Sequence, residues 1–341
     1  MSPKNLTVIN KTHNFLLKKL QDKRIFKIYK SFEKSLNINE NFIVAVSGGP
    51  DSLALAFLSK IYSIQKSLKP KYFILNHNLR KSSFPEAKNV QQHLKKYSIN
   101  LKILNWKGVK PKSNLQSIAR NKRYGLLFKE AKKFNIRYLL LGHQLDDLFE
   151  NFFIRIMRGS GLNGLVSLDK ELKANDFNIM RPLLDFEKKN LIYISKNIFG
   201  SYVEDPFNED DKFKRVRVRN FLKQLEREGF DRNKFLLTIK NLKFSNETIK
   251  FYTNKNLSEN VIFLKKNKSS ILKSGFFQNS DEVIFRSLGE IIKLVGKKYY
   301  LRRGKKIMNI VQLIKTKPYF KVTLGSCIIK KVYGTVIISK E

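Results

Sequence analysis

Short apolar runs alternate with longer amphipathic stretches over the first two-thirds of the chain. The runs at 42–46, 72–76, 101–106 and 138–142 are rich in Ile, Val, Leu, Phe and Tyr and end at Gly, Asn or polar residues, which predicts buried strands. Between them, 52–67, 85–97 and 115–134 carry apolar residues at helical spacing. Strand and helix in alternation imply a parallel sheet with helices on both faces. Such a sheet binds ligands beyond the carboxyl ends of its strands. Residues 10–36 place Phe15, Leu16, Leu20, Ile25, Phe26 and Tyr29 among many lysines. This predicts one or two amphipathic helices packed on the sheet domain with a solvated lysine face. Past about residue 220 the pattern changes. Residues 221–295 read as helices rich in Leu, Phe, Lys and Asn, and 298–341 as short strands at 299–301, 320–324 and 336–338. The expected division is a basic helical extension (1–40), an α/β domain (41–220), a helical region (221–295) and a small β-rich segment (296–341).

The first expected strand runs into Ser47-Gly48-Gly49-Pro50-Asp51-Ser52, and a helix follows. Strand, glycine turn and helix aim backbone N–H groups and a helix N-terminus at an anion. Glycine lets the backbone approach without a Cβ in the way. The Gly-Lys-Ser/Thr of common NTPase loops is missing. Asp51 stands there instead, and a carboxylate beside phosphates calls for a divalent cation between them. The loop reads as a pyrophosphate cradle with a metal-binding aspartate.

A second group follows the strand at 138–142. His143 and Asp147 are one helical turn apart, as are Asp146 and Glu150. Three carboxylates and a histidine at the ligand end of a sheet suggest a cation or an amine among them. Arg120 and Arg123 share a face of the preceding helix. A guanidinium aimed at an α-phosphate would stabilise charge developing there.

Charge narrows the partner class. The 341 residues hold 68 Lys and Arg against 28 Asp and Glu, a formal net charge of +40. That excess attracts polyanions, nucleic acid foremost. Arg215, Arg217 and Arg219 alternate with Val216 and Val218. In an extended segment they would line one side and grip phosphates, outside the nucleotide motifs and without effect on nucleotide affinity. The lone Cys327 excludes a disulfide framework and a cysteine-based zinc site and suits a reducing cytoplasm. No stretch reads as a membrane span or a signal peptide. The sequence leaves the oligomeric state open, an oligomer included.

Ser-Gly-Gly-Pro-Asp-Ser resembles the signature of the PP-loop ATP pyrophosphatases. Asn76-His77-Asn78-Leu79-Arg80, Ala119-Arg120-Asn121-Lys122-Arg123-Tyr124, Gly142-His143-Gln144-Leu145-Asp146-Asp147, Arg158-Gly159-Ser160-Gly161 and Arg181-Pro182-Leu183-Leu184 follow in the order seen in the tRNA(Ile)-lysidine synthases. Glu204-Asp205-Pro206 extends the resemblance weakly. The resemblance implies an α/β fold of the PP-loop type: a Rossmann-like parallel sheet followed by a smaller helical and mixed C-terminal region. It implies ATP and Mg2+ as cofactors, with free L-lysine and a tRNA(Ile) bearing a CAU anticodon as partners. ATP would meet Ser47, Gly48, Gly49, Pro50, Asp51, Ser52, Asn76 and His143, and magnesium would meet Asp51 and Asp147. Asp51, Arg120, Arg123, His143 and Asp147 form the expected catalytic set, with the choice between the two arginines open. Asp146 and Glu150 are candidates for the lysine ammonium, and Arg158, Arg215, Arg217 and Arg219 for tRNA. The sequence departs from the family pattern in several places: Asn76 replaces Asp, Gln144 replaces His, Asn151 replaces Thr, Phe207 replaces Ser and Val216 replaces Asn. Two other readings compete. A PP-loop thiolase would ordinarily use several cysteines, and an amidotransfer synthetase would need a further domain. A non-catalytic RNA-binding protein of this fold would not need Asp51, His143 and Asp147.

Overall fold

The computed structural model describes residues 3–78, 82–106, 108, 115–174, 176–204, 210–264, 269–297 and 304–341. The expected strand at 299–301, Leu79-Arg80 and Asp205-Pro206-Phe207-Asn208 lie outside them. Two compact units divide at residue 230.

In the first unit, helices α1 (Pro3–Lys18) and α2 (Lys23–Ser35) precede β1 (Phe42–Val46). Then come α3 (Pro50–Gln65), β2 (Lys71–Asn76), α4 (Ser83–Lys95), β3 (Leu101–Asn105), α5 (Leu115–Lys133) and β4 (Tyr138–Leu140). Helices α6 (Leu145–Ile156) and α7 (Leu162–Leu165) lead into a hairpin of β5 (Glu171–Ala174) and β6 (Phe177–Met180). Helices α8 (Lys188–Phe199) and α9 (Lys214–Arg227) complete the unit. The strand order is β3-β2-β1-β4-β6-β5, parallel except for the β5 edge. Strands added after β1 go first to one side and then to the other. The β1/β4 junction is therefore the topological switch point, where the crevice of an open α/β sheet lies.

Strand alternation builds a core on each face. Phe42, Val44 and Val46 pack with α2, α3 and α8 through Phe32, Leu55 and Ile194. Ile43 faces the other way, toward Leu127 and Ala131 of α5 and Phe177 and Ile179 of β6. The N-terminal helices join the first of these cores through Leu16, Ile25, Tyr29 and Phe32. Asp22 caps α2, accepting from the N–H groups of Arg24 and Ile25 at 2.8 and 3.0 Å, and takes the Tyr193 hydroxyl of α8 at 2.7 Å.

The second unit opens with α10 (Arg232–Asn260), followed by β7 (Val261–Leu264), β8 (Ser269–Leu272), α11 (Asp281–Gly296) and α12 (Gly304–Thr316). Strands β9 (Phe320–Leu324), β10 (Cys327–Val332) and β11 (Thr335–Lys340) end it. Its antiparallel sheet runs β7-β8-β11-β10-β9. Two of these strands come from 221–295, which the sequence reads as helical. Each is only four residues long, too short to display a period. Cys327 is buried, and its thiol donates to the Ile292 carbonyl at 3.4 Å, a packing role.

Gly296 ends α11 against the sheet, and a Cβ there would lie 2.1 Å from the Gly325 oxygen. Gly296→Ala should therefore destabilise the second unit by about 1–3 kcal/mol, the usual cost of overpacking. Urea unfolding followed on that unit reads the shift, and an unchanged midpoint would refute the contact.

Candidate active site

The loop after β1 is held by one hydroxyl. Ser52 Oγ accepts from the N–H groups of Ser47 and Gly48 at 3.0 and 3.1 Å and from the Ser47 hydroxyl at 3.0 Å. It donates to the Gly49 carbonyl at 3.0 Å. Gly48 adopts φ +90°, and a Cβ there would sit 2.8 Å from Val90 Cγ2. Conformation and space both require glycine. Val203 clasps the loop from outside, donating its N–H to the Gly48 carbonyl at 3.0 Å. Gly49 is the N-cap of α3 and Pro50 its first residue, where a missing N–H costs nothing. The sequence reading aims the loop N–H groups at phosphate, but those of Ser47 and Gly48 serve Ser52. A ligand is left the N–H of Gly49 and the open first turn of α3.

The end of β4 lies against that turn. A Cβ on Gly142 would be 3.3 Å from Ser52 N, Ser52 Cα and the Asp51 carbonyl oxygen. Asp51 is partly buried in the first turn of α3, and its Oδ1 has no partner. Burial, followed by the charge of Asp147, pushes its carboxyl up to about 7, against weaker pulls from Lys188 and Arg219.

Gln144 begins α6 as its N-cap. Its Oε1 accepts from Asp146 N at 2.7 Å, while Asp147 Oδ2 accepts from Gln144 N at 3.0 Å. Asp147 therefore serves partly as a cap. Glu150 is buried one turn later and pairs through Oε1 with Arg219 Nε at 2.9 Å, while Oε2 is buried and unpartnered. Burial raises its pKa against the pull of Arg219.

Arginines gather opposite these acids. Burial, then Arg181, Arg123, Arg120 and Arg215, hold the His143 pKa well below its ordinary value. The imidazole is neutral, and its Nδ1 is buried without a partner. Arg181, named only as part of a motif in the sequence reading, is almost wholly buried just after β6 and donates to the Asp169 carbonyl at 2.6 Å. Burial is also the main cause depressing the Arg123 and Arg181 guanidiniums.

Several expected roles change. Residues 214–227 form helix α9, not an extended segment. Apart from two valines, the stretch consists mostly of Lys, Arg, Leu, Gln and Glu, all strong helix formers. Helical geometry parts the arginines. Arg217 caps its own turn, donating to the carbonyls of Asp211 and Lys212 at 2.8 and 3.2 Å. Arg219 pairs with Glu150, and Arg215 acts electrostatically on His143. The cluster is thus electrostatically continuous with the nucleotide motifs. Asn76 has no free polar group. Its Nδ2 donates to Asn78 Oδ1 and Asn105 Oδ1 at 2.7 and 3.1 Å. Its Oδ1 accepts from Asn78 N and Ser83 Oγ at 3.0 and 2.8 Å. It shapes the turn after β2, and its side-chain hydrogen-bonding capacity is taken up within the protein. Arg158 is exposed in the turn ending α6, where Gly159 at φ +63° and the Ser160-to-Arg155 bond of 3.0 Å form a helix cap. Among the described residues, no group of three or more metal-ligating side chains occurs.

A parallel sheet whose switch point carries a glycine loop at a helix N-terminus is the architecture of a nucleotide-binding α/β domain. A family profile described as the PP-loop domain matches residues 18–226. A tRNA(Ile)-lysidine synthase of Wolbachia pipientis wMel is 32% identical over 306 residues, covering 89% of this chain and 71% of that protein. One of Mesoplasma florum is 30% identical, covering 89% and 74% respectively. The chain belongs to the tRNA(Ile)-lysidine synthase family. In fold it is also similar to the U34-tRNA thiolase NcsA from Methanococcus maripaludis, with a TM-score of 0.56 at 19% identity over 66% of this chain and 79% of that one.

The folded state keeps the Asp51 proton up to about pH 7, while an unfolded aspartate releases it near pH 3.9. Stability should therefore fall as pH rises through that window. Asp51→Asn, melted from pH 4.5 to 8 in magnesium-free buffer, should lose this decline and be the more stable protein at pH 8. Parallel wild-type and variant curves would refute the burial.

Proposed function

We propose that this protein joins lysine to C2 of the wobble cytidine of a tRNA(Ile) with a CAU anticodon, through an adenylated tRNA intermediate. Family membership supplies the reaction class. The observation that carries the reading is the meeting of an anion-cradling loop, two mutually repelling carboxylates and an arginine group at one switch point.

The C2 oxygen of cytidine is a poor leaving group. Transfer of AMP to it from ATP expels pyrophosphate and makes it a good one. The pyrophosphate lies at the loop and the first turn of α3. A Cβ on Gly49 would meet only ordinary contacts, 3.8 Å from Ser47 Oγ, so protein packing leaves room there. Asp51 and Asp147 fit magnesium. Their charges repel, Asp51 Oδ1 is orphaned, and this ion commonly uses one or two carboxylates with phosphate oxygens. When bound, it neutralises phosphate charge. Arg120, Arg123, Arg181 and Arg215 add positive charge that does not need to reorganise during the reaction. Neutral His143 offers a hydrogen bond to the nucleotide without adding charge.

The lysine ε-amine then attacks C2. The C–N bond forms, and the bond from C2 to the AMP-bearing oxygen breaks. A free ammonium, with a pKa near 10.4, must first lose a proton. In this reading Glu150 Oε2, buried and with a raised proton affinity, takes it. Asp146 adds negative charge on the same helix. An unpaired anticodon base reaches such a pocket at low unstacking cost. Lysine-rich surface attracts the tRNA backbone, and Arg158 is exposed to join it. No helix of the described residues is long and apolar enough to cross a membrane, and we place the protein in the cytoplasm.

Pyrophosphate release with bulk tRNA is the decisive assay. It should depend on tRNA, stop after one turnover without lysine and continue with lysine. Release without tRNA, or full turnover without lysine, would refute the reading. Arg219→Ala should raise the lysine KM by about tenfold or more, because Glu150 loses its charge-assisted bond of roughly 1.5–3 kcal/mol and, with it, the pull that favours its carboxylate. ATP KM should move far less. Equal shifts in both would deny Glu150 a lysine role.

A further inference from the structure

Three arginines of the crevice converge on one neutral side chain. Tyr124, on α5, accepts from Arg120 Nη2 at 3.3 Å and stands close enough to Arg181 to hold up that guanidinium's proton affinity. The Arg120 and Arg123 guanidiniums lie 5.4 and 5.8 Å from its ring centre, within cation–π range. The ring itself is braced. Its centroid is 5.8 Å from that of Phe128, which stacks on Phe177 of β6 at 4.6 Å and 6°. Among the described residues, no carboxylate stands within ion-pair distance of Arg120, Arg123 or Arg181. Arg123 Nε and Arg181 Nε are buried without partners.

We propose that Tyr124 is the positioning residue of the adenylation step, holding Arg120, Arg123 and Arg181 toward the phosphates without neutralising them. This rests on the function proposed above.

The physical reason is a conflict between holding and charging. Three guanidiniums close together repel one another and would swing toward water. A carboxylate would hold them more strongly, but it would cancel charge that the reacting phosphates need. A phenol resolves this. Its oxygen accepts from the Arg120 guanidinium and lies near that of Arg181, and its ring face attracts cations through the quadrupole. The net charge of the group is untouched. The brace runs through Phe128 to β6, the strand that leads directly into Arg181. One packed stack therefore sets arginines from two separate elements in register.

Tyr124→Phe tests this, because it keeps the ring and the stack and removes only the hydroxyl. The rate of the tRNA-dependent pyrophosphate burst should fall about tenfold, as expected when a charge-assisted bond that orients a reacting contact is lost. The melting temperature and tRNA affinity should hold, which a merely structural role for the hydroxyl would not leave intact alongside a slow burst. In an Arg120→Gln background the same change should slow the burst less than in the wild type, because the two act as one unit. A Tyr124→Phe burst and ATP KM equal to wild type would overturn the proposal, as would full additivity with Arg120→Gln. If the wild type releases no pyrophosphate with tRNA, the functional reading fails separately. Calorimetric ATP affinity then decides this proposal: weaker binding by Tyr124→Phe sustains it, and unchanged binding overturns it.

Discussion

The crevice depends on one close approach of backbone to backbone. Residue 142 carries no side chain, and the first turn of α3 lies directly against it, so that a single Cβ would press on Ser52 and the Asp51 carbonyl. Strand order makes the contact unavoidable. β1 and β4 are neighbours, and the chain leaves each at its carboxyl end. The loop after β1 and the start of α6 must share the same space. A larger residue at 142 would separate Asp51 from the carboxylates of α6.

Within that space the charges are arranged for something not supplied by the protein. Asp51, His143, Glu150, Arg123 and Arg181 each keep a buried polar atom without a partner. Buried polar groups are ordinarily satisfied, so their concentration here marks a site completed by its ligands. Acids collect at the starts of α3 and α6, and arginines arrive from α5, α9 and the end of β6. Burial then shifts proton affinities in a consistent direction. It raises those of Asp51 and Glu150 and keeps His143 neutral. Each group leans toward its uncharged form until a counter-charge enters, which suits a site that takes in a cation, a polyphosphate and an amine.

The misread elements share a physical cause. Val216 and Val218 alternate with arginines as strand residues would, yet burial of Val216, Val218 and Leu222 fits a helix once the neighbouring elements are in place. Alternation over five residues cannot separate the two periods. Asn76 stands where the family has a carboxylate and invites a ligand role, but four local hydrogen bonds absorb it. Two of its partners, Ser83 and Asn105, lie seven and twenty-nine residues away, and only the fold brings them there. The strands β7 and β8 were hidden for a different reason. Each is four residues long, and the pairing of β8 with β11 spans more than sixty residues.

The sequence by itself determined the parallel strands, the glycine loop, the acidic start of α6 and the anion-seeking charge. Each of these is a local pattern, fixed by neighbours within a turn or two of the same segment. It also ordered the motifs well enough to point to the family. Tertiary structure alone decided which charges meet. It paired Arg219 with Glu150 across 69 positions, brought Arg181 beside α5 and set Tyr124 among three arginines. Electrostatic energy depends on distance through space and on burial, and separation along the chain carries neither.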